Sequence, residues 1–277
     1  RSLVGSEMCI RDSFSAAKGN RACAVIRLCR KYDVPYQVIG NGSNLLVGDR
    51  GIRGLVIEML SKEDEICVED DCITVGAGML LSKTANRAAE HGLTGMEFAA
   101  GIPGSIGGAV VMNAGAYGGE MKDILTAVTV LDQEGNEKIL SAEELELGYR
   151  TSCILKKGYI VTGAKIKLKH GEETAIRARM EELKKQRVEK QPLEYPSAGS
   201  TFKRPEGYFA GKLIMDAGLR GYLVGEAQVS EKHCGFVINR GNATAADVRT
   251  LMQNVADIVE EKFGVRLEPE VKMIGEF

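Results

Sequence analysis

The chain has 277 residues, 44% hydrophobic and 27% charged, with a net charge of −2 at neutral pH. That length supports a sizeable core and one to three domains. The near-neutral balance excludes a general nucleic-acid binder, which needs a basic surplus, and no apolar run is long enough to span a bilayer. Seven cysteines (Cys9, Cys23, Cys29, Cys67, Cys72, Cys153 and Cys234) are odd in number and scattered, without a CxxC pair. The histidines His91, His170 and His233 form no ligand cluster in the sequence. These patterns argue against a zinc site or a disulfide framework and for reduced thiols in a cytoplasmic protein. The start has no apolar stretch of signal-peptide type.

Residues 1–13, RSLVGSEMCIRDS, show no clear periodicity and read as a non-native join. Residues 20–32 predict an amphipathic helix. Residues 34–46 give a strand feeding the turn IGNGSNLL, and residues 47–58 contain a second short strand, GLVIE. Residues 66–75 alternate loosely and read as one strand. A helix follows over 80–91 with Gly92 as its stop. Residues 97–119 are the densest glycine region. Residues 127–132 and 137–140 flank Gln133-Glu-Gly-Asn136 and predict a hairpin. Another strand spans 159–169. The charged helix over 172–190 has acidic residues early and basic ones late, which suits its dipole, and Pro192 ends it. The last long helix runs from Thr244 to Phe263. Thr244 and Asp247 form a capping arrangement, and Val248, Leu251, Met252, Val255, Ile258, Val259 and Phe263 recur at helical spacing as ordinary core. Helices and strands alternate irregularly with hairpins between them, which favours α+β over a doubly wound sheet.

Two glycine loops carry the first chemical signal. Gly40-Asn41-Gly42-Ser43-Asn44-Leu45 follows a strand and opens like a dinucleotide fingerprint. The third glycine is missing, however, and the segment runs toward another strand, so the Rossmann reading fails its structural test. Gly101-Ile102-Pro103-Gly104-Ser105-Ile106-Gly107-Gly108 is more informative. Successive exposed N–H groups in such a loop can form an anion nest, and small side chains let a pyrophosphate approach the backbone. Asn113-Ala114-Gly115-Ala116 extends that low-steric surface. The competing reading for each loop is a structural turn; two such loops together favour a large dinucleotide such as FAD.

The wording of these blocks is specific. GNGSNLLVGDRGIRGLVI and GMEFAAGIPGSIGGAVVMNAGAYGGE resemble the two flavin-binding segments of the UDP-N-acetylenolpyruvoylglucosamine reductases. More distantly they resemble other flavoproteins of the vanillyl-alcohol-oxidase (PCMH) fold. The resemblance runs from about residue 20 to residue 274. It implies an α+β chain with a two-lobed FAD-binding domain of that type and a C-terminal α+β substrate-binding domain. The first lobe would span 1–48, the second 49–205, and the substrate domain 206–277, returning at its end with Glu270.

Three further motifs match the family's chemistry: LGYRTS with Arg150, SAGSTFKRPEG with Ser200, and LEPEVKMIG with Glu270. The implied reaction has NADPH reduce FAD, after which a hydride reaches C3 of the enolpyruvyl group and a proton reaches C2. The cofactor carries the redox chemistry and the protein supplies orientation and electrostatics. Arg150 would fork onto the substrate carboxylate, Ser200 would donate the proton to C2, and Glu270 would act beside Arg150 as proton donor or orienting group. Unaided by the family match, these residues read as a surface ion pair, a turn hydroxyl and a strand-end carboxylate. Glu268 shares a face with Glu270 if the segment is extended. Lys190, Lys203, Arg204 and His233 are candidates for the diphosphate of a UDP-linked amino sugar. The implied partners are that sugar alone, with no nucleic acid and no membrane, acting on a monomer.

The chain departs from the family pattern twice. An earlier strand–helix segment with an Asn-Thr and paired glycines is missing, and residues 1–13 stand in its place, as in a chain truncated at its N-terminus. The interval between Arg150 and Ser200 has no room for the inserted loop whose tyrosine covers the substrate, which points to the shorter subclass with a lid from elsewhere. Other readings are a different flavin oxidoreductase of the same fold, or an inactive flavin- or nucleotide-sugar-binding fragment. The absence of His from both glycine loops argues against an oxidase that tethers its flavin through His.

Overall fold

The computed structural model describes residues 13–15, 19–61 and 65–277. The join expected over residues 1–13 lies outside the described residues except for Ser13. By packing, the chain forms two compact units. One is built from Gly42–Arg53 and Val188–Phe277, the other from the described residues up to Asn41 together with Gly54–Arg187.

The larger unit is organised by a five-stranded antiparallel sheet in the order Glu137–Ser141, Leu125–Leu131, Ile160–Lys167, Cys72–Gly76, Ile66–Glu69. Alternation decides its two faces. Ile73, Val75, Val128, Val130, Ala164 and Ile166 point into the core, while Thr74, Lys165 and Lys167 point to solvent. Each such valine or isoleucine contributes about 1.5–3 kcal/mol by leaving water. The helix Leu81–Glu90 buries Leu81, Thr84, Ala85, Ala88 and Ala89, which lie on one helical stripe, and its apolar members pack into this core with Ile106, Ala109 and Val110 of the short helix Ile106–Val111. His91 ends the longer helix, and Gly92 follows in the left-handed region.

The single strand expected over 66–75 is instead two strands, Ile66–Glu69 and Cys72–Gly76, paired as a hairpin. Asp70, at φ 53°, makes the reversal; Asp tolerates that region better than most residues. The same unit carries a parallel sheet in the order Ser13–Ser15, Leu55–Glu58, Tyr36–Ile39. Ile26 of the helix Gly19–Lys31 packs there with Ile57, Met59 and Leu131.

The second unit is a four-stranded antiparallel sheet, Ser197–Ser200, Phe236–Asn239, Ala227–Val229, Leu223–Val224. It shares a core with the helices Ala210–Asp216 and Ala245–Phe263, the latter burying Val248, Leu251, Met252, Val255 and Val259. Both bonds of the expected capping box, Thr244 with Asp247, are formed, and Gly264 closes the helix in the left-handed conformation. Leu45–Val47 pairs in parallel with Lys272–Ile274, so the strand after the first glycine loop is zipped to the end of the chain. No helix among the described residues is long and apolar enough to cross a membrane.

Candidate functional site

In the larger unit the two glycine segments meet directly. Asn41 Nδ2 donates to the Pro103 carbonyl at 2.7 Å. A Cβ on Gly40 would collide with Ser105 Oγ, so the first segment lies against the second only because residue 40 lacks a side chain. The Gly101–Gly108 loop is stapled to Ala77–Leu81 through Leu81 N to Gly104 O (3.0 Å), Ile106 N to Met79 O (2.8 Å) and Gly107 N to Ala77 O (2.8 Å). Gly108 N is engaged by Ser105 Oγ at 3.4 Å, and Ile102 N by Ala99 O at 3.0 Å. The amides of Ile102, Ile106, Gly107 and Gly108 are thus committed within the fold. The expected run of free N–H groups is therefore not continuous, because the loop turns at once into a helix whose first amides seek partners.

Asn113 is fully buried, and its side chain is spent inside the protein. Nδ2 donates to Glu120 Oε2 (2.8 Å) and the Gly148 carbonyl (3.0 Å), and Oδ1 accepts from Lys122 N (2.8 Å). It ties the glycine segment to the loop that carries Arg150. After Ala114, Gly115–Ala116 pairs with Gly119–Glu120. Tyr117 (φ 53°) and Gly118 (φ 88°) form the turn between them. Positive φ at both central residues is the type I′ pattern, usual for Asn-Gly and unusual for tyrosine.

Arg150 occupies a comparable position. Gly148 and Thr151 bond reciprocally, closing a two-residue turn over Tyr149 and Arg150, and Arg150 has φ 53°. A left-handed non-glycine residue at such a turn is strained, and strain of that kind clusters at functional sites. The guanidinium donates to the carbonyls of Gly115 (3.0 Å) and Asn113 (3.5 Å) and lies 5.1 Å from the Tyr149 ring centre. Arg150 is therefore anchored on the third glycine segment.

The other unit gathers Ser200, Glu270 and the loop Gly42–Leu45. Glu270 N donates to Thr201 O at 2.9 Å, Lys203 N to Glu268 O at 2.8 Å, and Phe202 bridges to Pro269. Ser200, at the edge of its strand, thereby lies within one residue of the backbone partner of Glu270. Asn44 joins them: its Nδ2 donates to the Glu270 carbonyl at 3.2 Å, and its own carbonyl accepts from Lys272 N at 2.9 Å. Glu268 and Glu270 do not share an environment. Glu270 is only 8% exposed, whereas Glu268 is exposed and paired with Lys203 at 3.0 Å. The segment is not a regular strand at this point, which removes the strict alternation expected of it.

His233 is half-buried, its ring edge-on to Phe236 at 5.0 Å, and its Nδ1 accepts from Gly235 N at 3.1 Å. Burial holds its pKa below the ordinary value of 6.5. A ring that accepts at Nδ1 and resists charging carries its proton on Nε2, as a neutral donor. Arg204 lies 4.0 Å from the Phe209 ring centre and donates through Nε to the Tyr208 carbonyl at 3.3 Å. Lys190 is exposed at the end of the helix Glu173–Lys190. Sequence reading passed over Arg187, one turn earlier on that helix, whose Nε is buried without a hydrogen-bond partner. Its only signal was a position just before the Lys190-Gln-Pro break.

Gly40 and Gly101 let their segments lie against Ser105 and Arg187, where a Cβ would collide or crowd, and the buried Arg187 Nε, without a hydrogen-bond partner, suits an anionic ligand such as a dinucleotide. Family comparison gives the same answer. Residues 16–141 match the model for an FAD binding domain. Residues 191–274 match the C-terminal domain of UDP-N-acetylenolpyruvoylglucosamine reductase. The reductase of that name from Agathobacter rectalis is 58% identical, over 96% of this chain and 88% of its own. The one from Lachnoclostridium phytofermentans is 59% identical over 94% and 85%. The crystal structure of the Thermus caldophilus enzyme superposes with a TM-score of 0.80 at 38% identity, covering 95% of this chain and 91% of that one. The expected α+β architecture with an FAD-binding domain is thus borne out, and the chain belongs to the UDP-N-acetylenolpyruvoylglucosamine reductase family of FAD-dependent oxidoreductases.

Proposed function

We infer that this chain reduces UDP-N-acetylenolpyruvoylglucosamine to UDP-N-acetylmuramate with NADPH in peptidoglycan precursor synthesis, and that Arg150, Ser200 and Glu270 carry the reaction. FAD, when bound, supplies the redox chemistry between the nicotinamide and C3 of the enolpyruvyl group. Gly40–Leu45, Gly101–Gly108 and Asn113–Ala116 would hold it. Arg150 presents a planar fork to the substrate carboxylate and offsets the negative charge that builds there. Ser200 passes a proton to C2. Glu270, kept buried, orients that transfer.

The carrying observation is that SAGSTF and LEPEV, about seventy residues apart in sequence, lie side by side through the Thr201–Glu270 and Lys203–Glu268 backbone bonds. Lys190, Arg204 and the neutral His233 would take the substrate diphosphate; Lys203 is already neutralised by Glu268. We place the protein in the cytoplasm as a monomer, in keeping with its scattered cysteines. The lobes 1–48 and 49–205 and the substrate domain 206–277 describe ligand-holding parts, distinct from the packing units.

The test is an absorption spectrum of the purified protein, followed anaerobically by NADPH and then the enolpyruvyl sugar. A flavin band that bleaches with the first and returns with the second is expected. In Ser200→Ala the first phase keeps its rate and the second slows about 10²-fold, the scale of a positioned proton donor. Equal slowing of both phases removes Ser200 from the proton transfer. A protein that stays colourless with added FAD favours the inactive fragment.

A further inference from the structure

Arg187 ends the larger unit and lies between the two stretches matched by family models. A buried guanidinium ordinarily meets a carboxylate, because an unpaired charge away from water is expensive. Arg187 meets none among the described residues. Its Nε is sealed from solvent with no hydrogen-bond partner, and the polar group that faces it is the Tyr117 phenol. Burial pushes its pKa below the usual arginine value, and the phenol only partly opposes that.

What surrounds this charge is informative. A Cβ on Gly101 would stand 3.1 Å from Arg187 Nη1, so the second glycine loop passes directly over the guanidinium. Tyr117 reaches it from a type I′ turn in which a tyrosine is strained. A strained aromatic, a glycine and a part-buried guanidinium with no carboxylate partner among the described residues therefore converge in the larger unit. An arginine held this way offers its planar donors to an anion arriving from outside the chain.

We propose that Arg187, set between Gly101 and Tyr117, is the positive charge that receives an anionic oxygen of the bound flavin nucleotide. This rests on the FAD reading above. Two parts of the nucleotide offer such an oxygen: the diphosphate, and the pyrimidine edge of the ring system, which becomes negative on reduction.

The experiment compares wild type with Arg187→Gln and Arg187→Lys. It measures FAD and riboflavin affinity by fluorescence quenching and the midpoint potential of the FAD-loaded protein by dye equilibration. Arg187→Gln is expected to weaken FAD about ten- to a hundredfold, the scale of a lost charged hydrogen bond, with Arg187→Lys in between. Loss of FAD affinity with riboflavin and the potential unchanged assigns the oxygen to the diphosphate. Loss for both ligands together with a lowered potential assigns it to the ring. Unchanged affinities and potential overturn the proposal, and so does a raised KM for the enolpyruvyl sugar as the sole effect, which would give Arg187 to the substrate. If Arg187→Gln fails to fold, Arg187→Lys alone decides: it keeps the charge and loses the fork, so wild-type affinities and potential overturn the idea. Wild-type protein that takes up no FAD would instead remove the FAD reading on which the proposal rests.

Discussion

At the scale of single residues, two strained backbones stand beside the glycine segments. Arg150 and Tyr117 are bulky residues in left-handed turns, and both abut the glycine segments. Local propensity favours Gly or Asn at such positions, so tertiary contacts must hold these side chains there. His233 makes a different point. Its pKa is lowered by burial, so its neutral form stabilises the fold above the ordinary histidine pKa of 6.5, and that contribution is lost as pH falls below it through the depressed folded-state value. The expected result is a melting temperature that declines on acidification below pH 6.5 more steeply in wild type than in His233→Gln; parallel profiles would show that His233 charges without penalty. Ser200, Arg150 and Glu270 were legible in the sequence through their motifs. Arg187 was not, since a lone arginine in a charged helix looks like its neighbours until the fold covers it.

Between elements, the telling contacts are long-range caps and close approaches. Asp49 accepts from Ala245 N at 2.7 Å and Ala246 N at 2.9 Å, capping the final helix from a segment nearly two hundred residues away. Asp49→Ala should cost about 1 kcal/mol, as loss of an N-cap does, read as a lower urea midpoint with an unchanged slope. An unaltered midpoint would mean that the internal Thr244 cap suffices. Gly40 approaches Ser105 too closely for any Cβ. Gly40→Ala should lower stability and FAD affinity together, and Ser105→Gly in the same chain should restore much of both by removing the opposing hydroxyl. No restoration would place the Gly40 requirement elsewhere. The element boundaries followed the sequence closely where periodicity was strong, as in the helices Leu81–Glu90 and Ala245–Phe263. They failed at Asp70, where the polar stretch Glu69-Asp70-Asp71 marks a two-residue reversal that a single strand over 66–75 passes over.

For the whole molecule, the chain reaches its two packing units by leaving one and returning: Gly42–Arg53 crosses into the unit completed by the last ninety residues. The first glycine loop is therefore divided, with Gly40 and Asn41 in one unit and Gly42–Leu45 in the other. A cofactor bound by the folded chain and not by the unfolded one stabilises it by mass action. At FAD a hundredfold above its dissociation constant, unfolding should cost about 2.7 kcal/mol more than in the apo protein, seen as a concentration-dependent rise in melting temperature. A melting temperature indifferent to FAD would mean that the folded chain holds it no better than the unfolded one.

By itself the sequence determined the secondary elements with strong period and the two glycine-rich segments, because these depend on local spacing and residue type, and its motifs were enough to show the family. Tertiary structure alone decided the surroundings of the two carboxylates of LEPEV: Glu268 meets Lys203 in solvent, and Glu270 is enclosed beside Asn44. It also decided that Asn113 spends its side chain on the fold and that Arg187 Nε is buried without a hydrogen-bond partner. Burial and partnership are properties of residues distant in sequence, brought together only when the core excludes water.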